Sequence, residues 1–583
     1  NKLWSSNQQL KSLHKGRKYL KSLRNLNIEL KCDDLSRTGF TYLWEFFKNS
    51  RCLKVIALRL KTFENHPIGI FIELCRGLRQ LKYLTTCNLL LYSWDVPIDD
   101  AIKIFKNGMK STNSLKNLLL GFNFCMGVSD KACEFLAQGS YQLLNLESLR
   151  LEFTTCQNLT DDSLIFLKES IRKLTKLRCL EINMEGCYEV TNKGLTHLKE
   201  SLAALRHLKE LALNFSLCTD INDDGVEVLA DSFVKYKGLR RLLLNFGGTR
   251  IITDKSMNFI REGLKNYPAL DTLVLEFNFS KFITDLGIKM LEEGLHGCKS
   301  LRIFKLDFLN CEKLTDNSMK YVKGSISELT QLEHLTLKFS LTLNITDQGF
   351  SYLKEALERL QKLKILHFNF WNCLSLTDKA IEYLGQGLKG LHNLADITLN
   401  FSYCFNVTNS ALNELKTALI ASTKLKNINF CFSQLPRVSD KGVEYLRDLL
   451  KNFQLLESLT LEFCNCQGMV DNSLKHLRDG LRKCNTLMSL RLNFVICIYI
   501  TNDGFQYLRD ILLNLKNLQT LRLDFANCTN ITDDGLKYIQ EGIRGLKFLT
   551  SVFLYFWRCN ISNEAVEQFI QSTKLPDLTL CVR

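Results

Sequence analysis

Apolar residues recur along this chain in two alternating rhythms. In Leu146, Leu149, Leu151 and Phe153 they fall at every second residue after a first spacer. That spacing predicts a short strand with one buried face. A little further on, Leu164, Leu167, Ile171 and Leu174 are spaced by threes and fours, which predicts a helix with one apolar face. The L-x-x-L-x-L-x-F pattern restarts at Leu177, Leu208, Leu239, Leu270, Leu301, Leu332, Leu363, Leu394, Leu425, Leu456, Leu487, Leu518 and Leu549, each 31 residues after the last. Backwards it runs through Leu115, Leu84, Leu53 and Leu23, the last step being 30, and forwards it reaches Leu575 after a step of 26. About nineteen strands follow from this count.

The residues between strand and helix also repeat. Ten residues after the first Leu stands Cys125, Cys156, Cys187, Cys218, Cys311, Cys373, Cys404, Cys466, Cys497, Cys528 or Cys559. Then comes an apolar residue, a hydroxyl or amide residue and Asp or Asn, as in Leu159-Thr160-Asp161 and Ile531-Thr532-Asp533. The hydroxyl residue is expected to cap the helix, with the acid favoured by the helix dipole. Gly139, Gly263, Gly294, Gly387, Gly480 and Gly542 share one slot inside the helix, where Ser201, Ser232 and Ala356 also occur. Gly costs about 1 kcal/mol against Ala there, so close stacking of adjacent helices is expected. A single unit cannot bury its apolar face alone; neighbours complete the core.

This string, with its Cys and the Ile531–Leu536 segment ITDDGL, resembles the leucine-rich repeat superfamily. The Cys and the ITDDGL segment are similar to the cysteine-containing repeats found behind F-boxes. The longer unit with a full helix is similar to the ribonuclease-inhibitor branch. The even array is also similar to intracellular repeat proteins of protists, some of which carry a kinase domain. The resemblance covers the chain from about Leu10 to Arg583. It implies an α/β leucine-rich-repeat solenoid of about nineteen repeats, curved, with a parallel sheet on the concave side and helices on the convex side. The concave side would be the binding face. One departure stands out: the superfamily's Asn position after the strand holds Thr154, Ser216, Gly247, Leu309 and Trp371 here. A turn built differently, with Phe and Cys filling it, is therefore expected.

Length and composition fit a one-dimensional array. The 583 residues include only 5 Pro, and no linker or low-complexity tract marks a boundary. The expected organisation is a single domain over 1–583. Residues 1–22 would be the helical half of an incomplete first repeat, 23–574 eighteen repeats, and 575–583 a terminal strand. Because the chain opens with Asn1 and inside a unit, upstream sequence is expected. The 22 cysteines follow the repeat rather than a disulfide framework, so they are read as core residues in a reducing, cytosolic or nuclear setting. The expected location is the cytoplasm, with association to the cytoskeleton as an option. No apolar run reaches the ~18–20 residues of a membrane span. The N-terminal residues, with Lys2, Lys11, Lys15, Arg17, Lys18, Lys21 and Arg24, do not read as a signal peptide. Sequons such as Asn214-Phe-Ser216 fall on predicted strands.

Candidate chemistry is sparse. No phosphate-loop, H-E-x-x-H or kinase signature occurs, and Cys464-x-Cys466 has no matching pair. A non-catalytic protein without cofactor or metal is the expectation. The net charge of +15 raises nucleic acid as a partner. However, the exposed strand spacers from Leu115 to Leu549 hold thirteen Lys or Arg against twelve Asp or Glu. That face is near neutral, so protein partners are favoured over nucleic acid. Asn183, Asn214, Asn245, Asn369, Asn400 and Asn493 recur at one spacer and are expected to bond along the sheet. The candidate binding residues on this face are Arg150, Arg241, Lys305, His334, His367, Arg491, Arg522, Phe553 and Tyr555. Phe553 and Tyr555 lead because they are the only paired aromatics among these spacers, and aromatics are enriched at binding hot spots.

The favoured function is a scaffold or adaptor in a larger cytoplasmic assembly. The competing readings are the substrate-recognition part of an F-box-type ubiquitin ligase and the sensor region of a kinase whose catalytic domain lies outside this chain.

Overall fold

The period-two segments form strands and the segments spaced by threes and fours form helices, in alternation. The computed structural model describes residues 3–4, 7–16, 23–32, 37–50, 52–61, 72, 75–78, 80–81, 83–94, 96–109, 112–233, 235–249, 251–573 and 577–582. The chain divides into two compact units. The first comprises Asn1–Ile283 with Glu293–Leu301, and the second Thr284–Glu292 with Arg302–Arg583.

In the first unit, strands from Leu3–Trp4 to Thr272–Glu276 pair in parallel, each with the next in sequence. In the second, strands from Ile303–Asp307 to Asp577–Cys581 do the same. The register reproduces the sequence period: Ser148 faces Cys179, and Ser551 faces Asp577 after the shortened unit. Each unit is an α/β solenoid, a one-layer parallel sheet covered on one side by helices.

A single repeat shows why the sequence folds this way. In the strand Ser148–Glu152, Leu149 and Leu151 point to the helices while Ser148, Arg150 and Glu152 are half-exposed on the other face. Phe153, Cys156 and Leu159 turn into the core. Thr160 caps the helix Asp161–Ile171 by accepting from the Asp162 N–H at 3.2 Å. Leu164, Leu167 and Ile171 close the core from above. The Phe position forms a spine: in the second unit Phe370, Phe401 and Phe432 stack at 6.1 Å intervals. Aromatic pairs at that separation add to the area they bury.

The expected close approach of helices is present. A Cβ on Gly480 would lie 3.1 Å from both Cα and O of Arg447, and one on Gly387 3.1 Å from Lys354 Cα. Small residues at this slot therefore set the helix spacing.

Two expectations need correction. Among the described residues of 1–22, the helical half-unit is joined by a strand, because Leu3–Trp4 precedes the helix Asn7–Gly16 and pairs with Glu29 and Leu30, while 1–2, 5–6 and 17–22 lie outside the described residues. The strand's two-residue length and 26-residue offset set it apart from the 31-residue period. The Asn column does not bond chiefly along the sheet. Asn183, Asn214, Asn245 and Asn400 each accept from the backbone N–H two residues on, at 2.9–3.0 Å, which is a local Asx turn. Cross-strand bonds from Asn183 to Thr154 and from Asn214 to Glu185 are longer, at 3.3 and 3.2 Å.

Candidate functional site

Alternation in the strands leaves three rows of side chains on the open face of each sheet. In the second unit one row reads Ile303, His334, Ile365, Asp396, Asn427, Ser458, Ser489, Thr520, Ser551. The next reads Lys305, Thr336, His367, Thr398, Asn429, Thr460, Arg491, Arg522, Phe553 by the same register. Hydroxyl and amide side chains fill the middle of both rows, the second row carries Lys305 near one end and Arg491, Arg522 and Phe553 near the other, and the last strand adds Asp577 and Thr579.

Most charges on this face are tied to each other across strands. Lys338 Nζ lies 2.8 Å from Asp307, Lys364 and Arg302 each 2.7 Å from Glu333, Lys426 2.7 Å from Glu457, and Arg491 2.9 Å from Glu462. Hydrogen bonds from Lys364 and Arg302 hold the Glu333 carboxyl below its ordinary range. In the first unit Lys116 meets Glu147 at 2.9 Å, Arg150 meets Glu181 at 3.4 Å, and Arg241 meets Glu210 at 3.8 Å. These half-exposed pairs contribute little stability. Their consequence is that these eight cations already have acidic neighbours.

The candidate residues thus fall into distinct sets. Arg150, Arg241 and Arg491 are ion-paired. Lys305 stands beside a histidine pair: His334 and His367 meet edge to face with ring centres 5.3 Å apart, His334 Nε2 is 3.1 Å from Thr336 Oγ1, and His367 Nε2 is 3.0 Å from Asp396 Oδ1. Burial, reinforced by Lys305, lowers the His334 imidazole to about 4, so it is neutral at neutral pH. Arg522, Phe553 and Tyr555 come together: the guanidinium sits 5.9 Å from the Phe553 ring centre and 5.1 Å from that of Tyr555. Asp524, on the same strand, accepts from the Ala526 N–H at 3.3 Å, and burial pushes its carboxyl up.

A second arginine–ring pair follows Tyr555 closely in the chain and was not among the candidates. Arg558 lies 4.1 Å from the Trp557 ring centre, in the turn that leaves strand Ser551–Tyr555. Trp557 is 40% exposed. The sequence signal is the dipeptide Trp557-Arg558, which lies in a turn and not among the strand spacers. Exposed apolar residues gather in the same strand-to-helix turns elsewhere in this unit, including Leu343, Leu374, Phe405 and Tyr499.

The cysteine column has a polar role as well as a packing one. Cys466 Sγ donates to Phe432 O at 3.1 Å, Cys528 to Phe494 O at 3.1 Å, and Cys218 to Met184 O at 3.2 Å, each across 34 residues. Burial pushes the Cys466, Cys528 and Cys218 thiols up to about 12, so they are protonated donors rather than nucleophiles. Among the described residues, no three His, Cys, Asp or Glu side chains converge to hold a metal ion. No helix among them is long and apolar enough to cross a membrane.

No protein-family model matches this chain, and no curated protein matches it. The solenoid is assigned from its own repeat.

Proposed function

We propose that this chain is a leucine-rich-repeat solenoid that acts as a non-catalytic docking platform for protein partners within a cytoplasmic assembly. The observation that carries the reading is the contrast between the two kinds of polar group on the sheet. Its ion pairs are internally satisfied, whereas the middle strands offer uncharged donors and acceptors such as Thr398, Asn429 and Thr460. Such a surface suits a protein partner, whose interfaces combine dispersed hydrogen bonds with a few aromatic and arginine anchors. The burial of the thiols supports a role without covalent chemistry. The repeated Leu string and the ITDDGL segment support the leucine-rich-repeat type.

The test is site-specific photo-crosslinking in native extract. A photoreactive residue at Thr460 on the sheet face is expected to give discrete protein adducts, and one at Lys475 on the helix face few. Adducts confined to Lys475, or none at either position, overturn the proposal.

A further inference from the structure

The cations of the second unit's sheet face are not equivalent. Five of them, Arg302, Lys338, Lys364, Lys426 and Arg491, are held by acids on neighbouring strands. Among the described residues Lys305 and Arg522 are in no ion pair or hydrogen bond; Arg522 feels the Asp524 carboxylate only through space and packs on the rings of Phe553 and Tyr555 at 5.9 and 5.1 Å. Three residues beyond Tyr555, the Arg558 side chain packs on Trp557 at 4.1 Å and makes no hydrogen bond to the described residues. Two guanidinium groups are therefore positioned by aromatic faces while their N–H donors remain unused. Arginine's planar fork matches a carboxylate in two parallel hydrogen bonds, and stacking on a ring lowers the ordering cost of making them.

The neighbours narrow the ligand. Arg491, on the adjacent strand, is already neutralised by Glu462 at 2.9 Å, and Asp524 stands two residues from Arg522. Lys305, the other free cation of the face, lies seven strands away, roughly 34 Å at 4.8 Å per strand. A nucleic-acid backbone needs a row of closely spaced cations, and this face does not supply one. Two forks on successive parts of the chain, each packed on a ring, match two carboxylates flanking an apolar side chain.

We propose that Arg522 and Arg558, with Phe553, Tyr555 and Trp557, form a docking site for a protein segment that carries Asp or Glu on either side of an apolar residue. This rests on the docking-platform reading and names the chemistry of one partner.

The test is selection of random dodecapeptides displayed against the whole chain, followed by titration of the selected peptide. Selected sequences are expected to carry acids flanking an apolar residue. Replacing those acids by their amides should weaken binding by about tenfold or more, as should the double variant Arg522→Gln/Arg558→Gln with an unchanged melting temperature. Arg522→Lys, which keeps the charge but not the fork, should fall between. Selection of peptides without acids, no selection at all, or full binding by the double variant overturns the assignment. So does single-stranded DNA that binds at physiological salt and is lost in the double variant. If the assignment fails while Thr460 crosslinks persist, the platform reading survives without it.

Discussion

Asp161 and Thr191 are thirty residues apart, yet the Asp161 carboxylate accepts from both the backbone N–H and the Oγ1 of Thr191, at 2.8 Å each. It also accepts from the Gly194 N–H at 2.9 Å. The acid at the start of one helix thus caps the start of the next. The arrangement recurs from Asp316 to Thr346 and Gly349, and from Asp471 to Thr501 and Gly504. It explains the T-D-x-G motif as one device. Thr caps its own helix, Asp caps the next, and Gly leaves room for the preceding Asp, whose oxygen would lie 2.6 Å from a Cβ on Gly194.

Removing one such carboxylate is expected to open a junction. Asp347 accepts from Thr377 N at 2.9 Å, Thr377 Oγ1 at 2.7 Å and Ala380 N at 3.1 Å. Asp347→Ala should cost roughly 2–4 kcal/mol by leaving donors unsatisfied. It should also raise hydrogen exchange at Thr377 and Ala380. Asp347→Asn should cost less, because Asn409 serves the same slot by accepting from Ser439 N at 2.9 Å and donating to Ser439 Oγ at 3.0 Å. Asp162→Ala, on an exposed neighbour without such bonds, should cost under about 1 kcal/mol. Equal losses at positions 347 and 162 would contradict the ladder.

Glycines in these helices should respond unequally. Gly480→Ala presses a Cβ against Arg447 backbone at 3.1 Å and should destabilise by about 1–3 kcal/mol despite better helix propensity. Gly324→Ala meets only the Glu292 side chain, its carboxylate and Cγ, and no backbone, so it should be tolerated far better than Gly480→Ala, changing stability by under about 1 kcal/mol. Urea midpoints of the two variants test this, and a stabilised Gly480→Ala would refute the spacing role.

Alkaline pH should weaken the solenoid through its thiols. The Cys466 and Cys528 thiols are raised to about 12 in the fold, against about 8.5 in an unfolded chain. The folded state binds the proton more tightly, so this stability is full below pH about 8.5 and is lost as pH rises towards 12. Melting temperature should fall across that window. It should fall less in Cys466→Ser, which keeps a donor to Phe432 O without titrating there. An identical slope in both chains would exclude the thiol contribution.

His334 should behave as a permanently neutral group down to acid pH. Its folded value of about 4 lies below the ordinary 6.5. The unfolded state therefore gains protons first as pH falls, and stability drops between about pH 6.5 and 4. The His334 ring resonances should hold their neutral shifts from pH 8 to 5. A midpoint near 6.5 would mean that the ring is not buried as described.

The spacing of apolar residues by itself determined the strands and helices of the 31-residue units and their order, while the parallel pairing was implied by the resemblance to leucine-rich repeats. Side-chain period is a local property: alternate residues such as Leu149 and Leu151 face one side of a strand, and Leu164, Leu167 and Ile171 one side of a helix. The slot shared by Gly387 and Gly480 was legible for the same reason, since a repeated small residue marks a repeated close contact. Partners across repeats were not legible. The sequence shows Asp161 beside Thr160, but its bonds run to Thr191 and Gly194, which only stacking brings near. Likewise it showed a balanced count of charges on the sheet face. Which cations those acids hold, and that Arg522 is held by rings instead, depends on side-chain reach between adjacent strands, and the tertiary structure alone decided it.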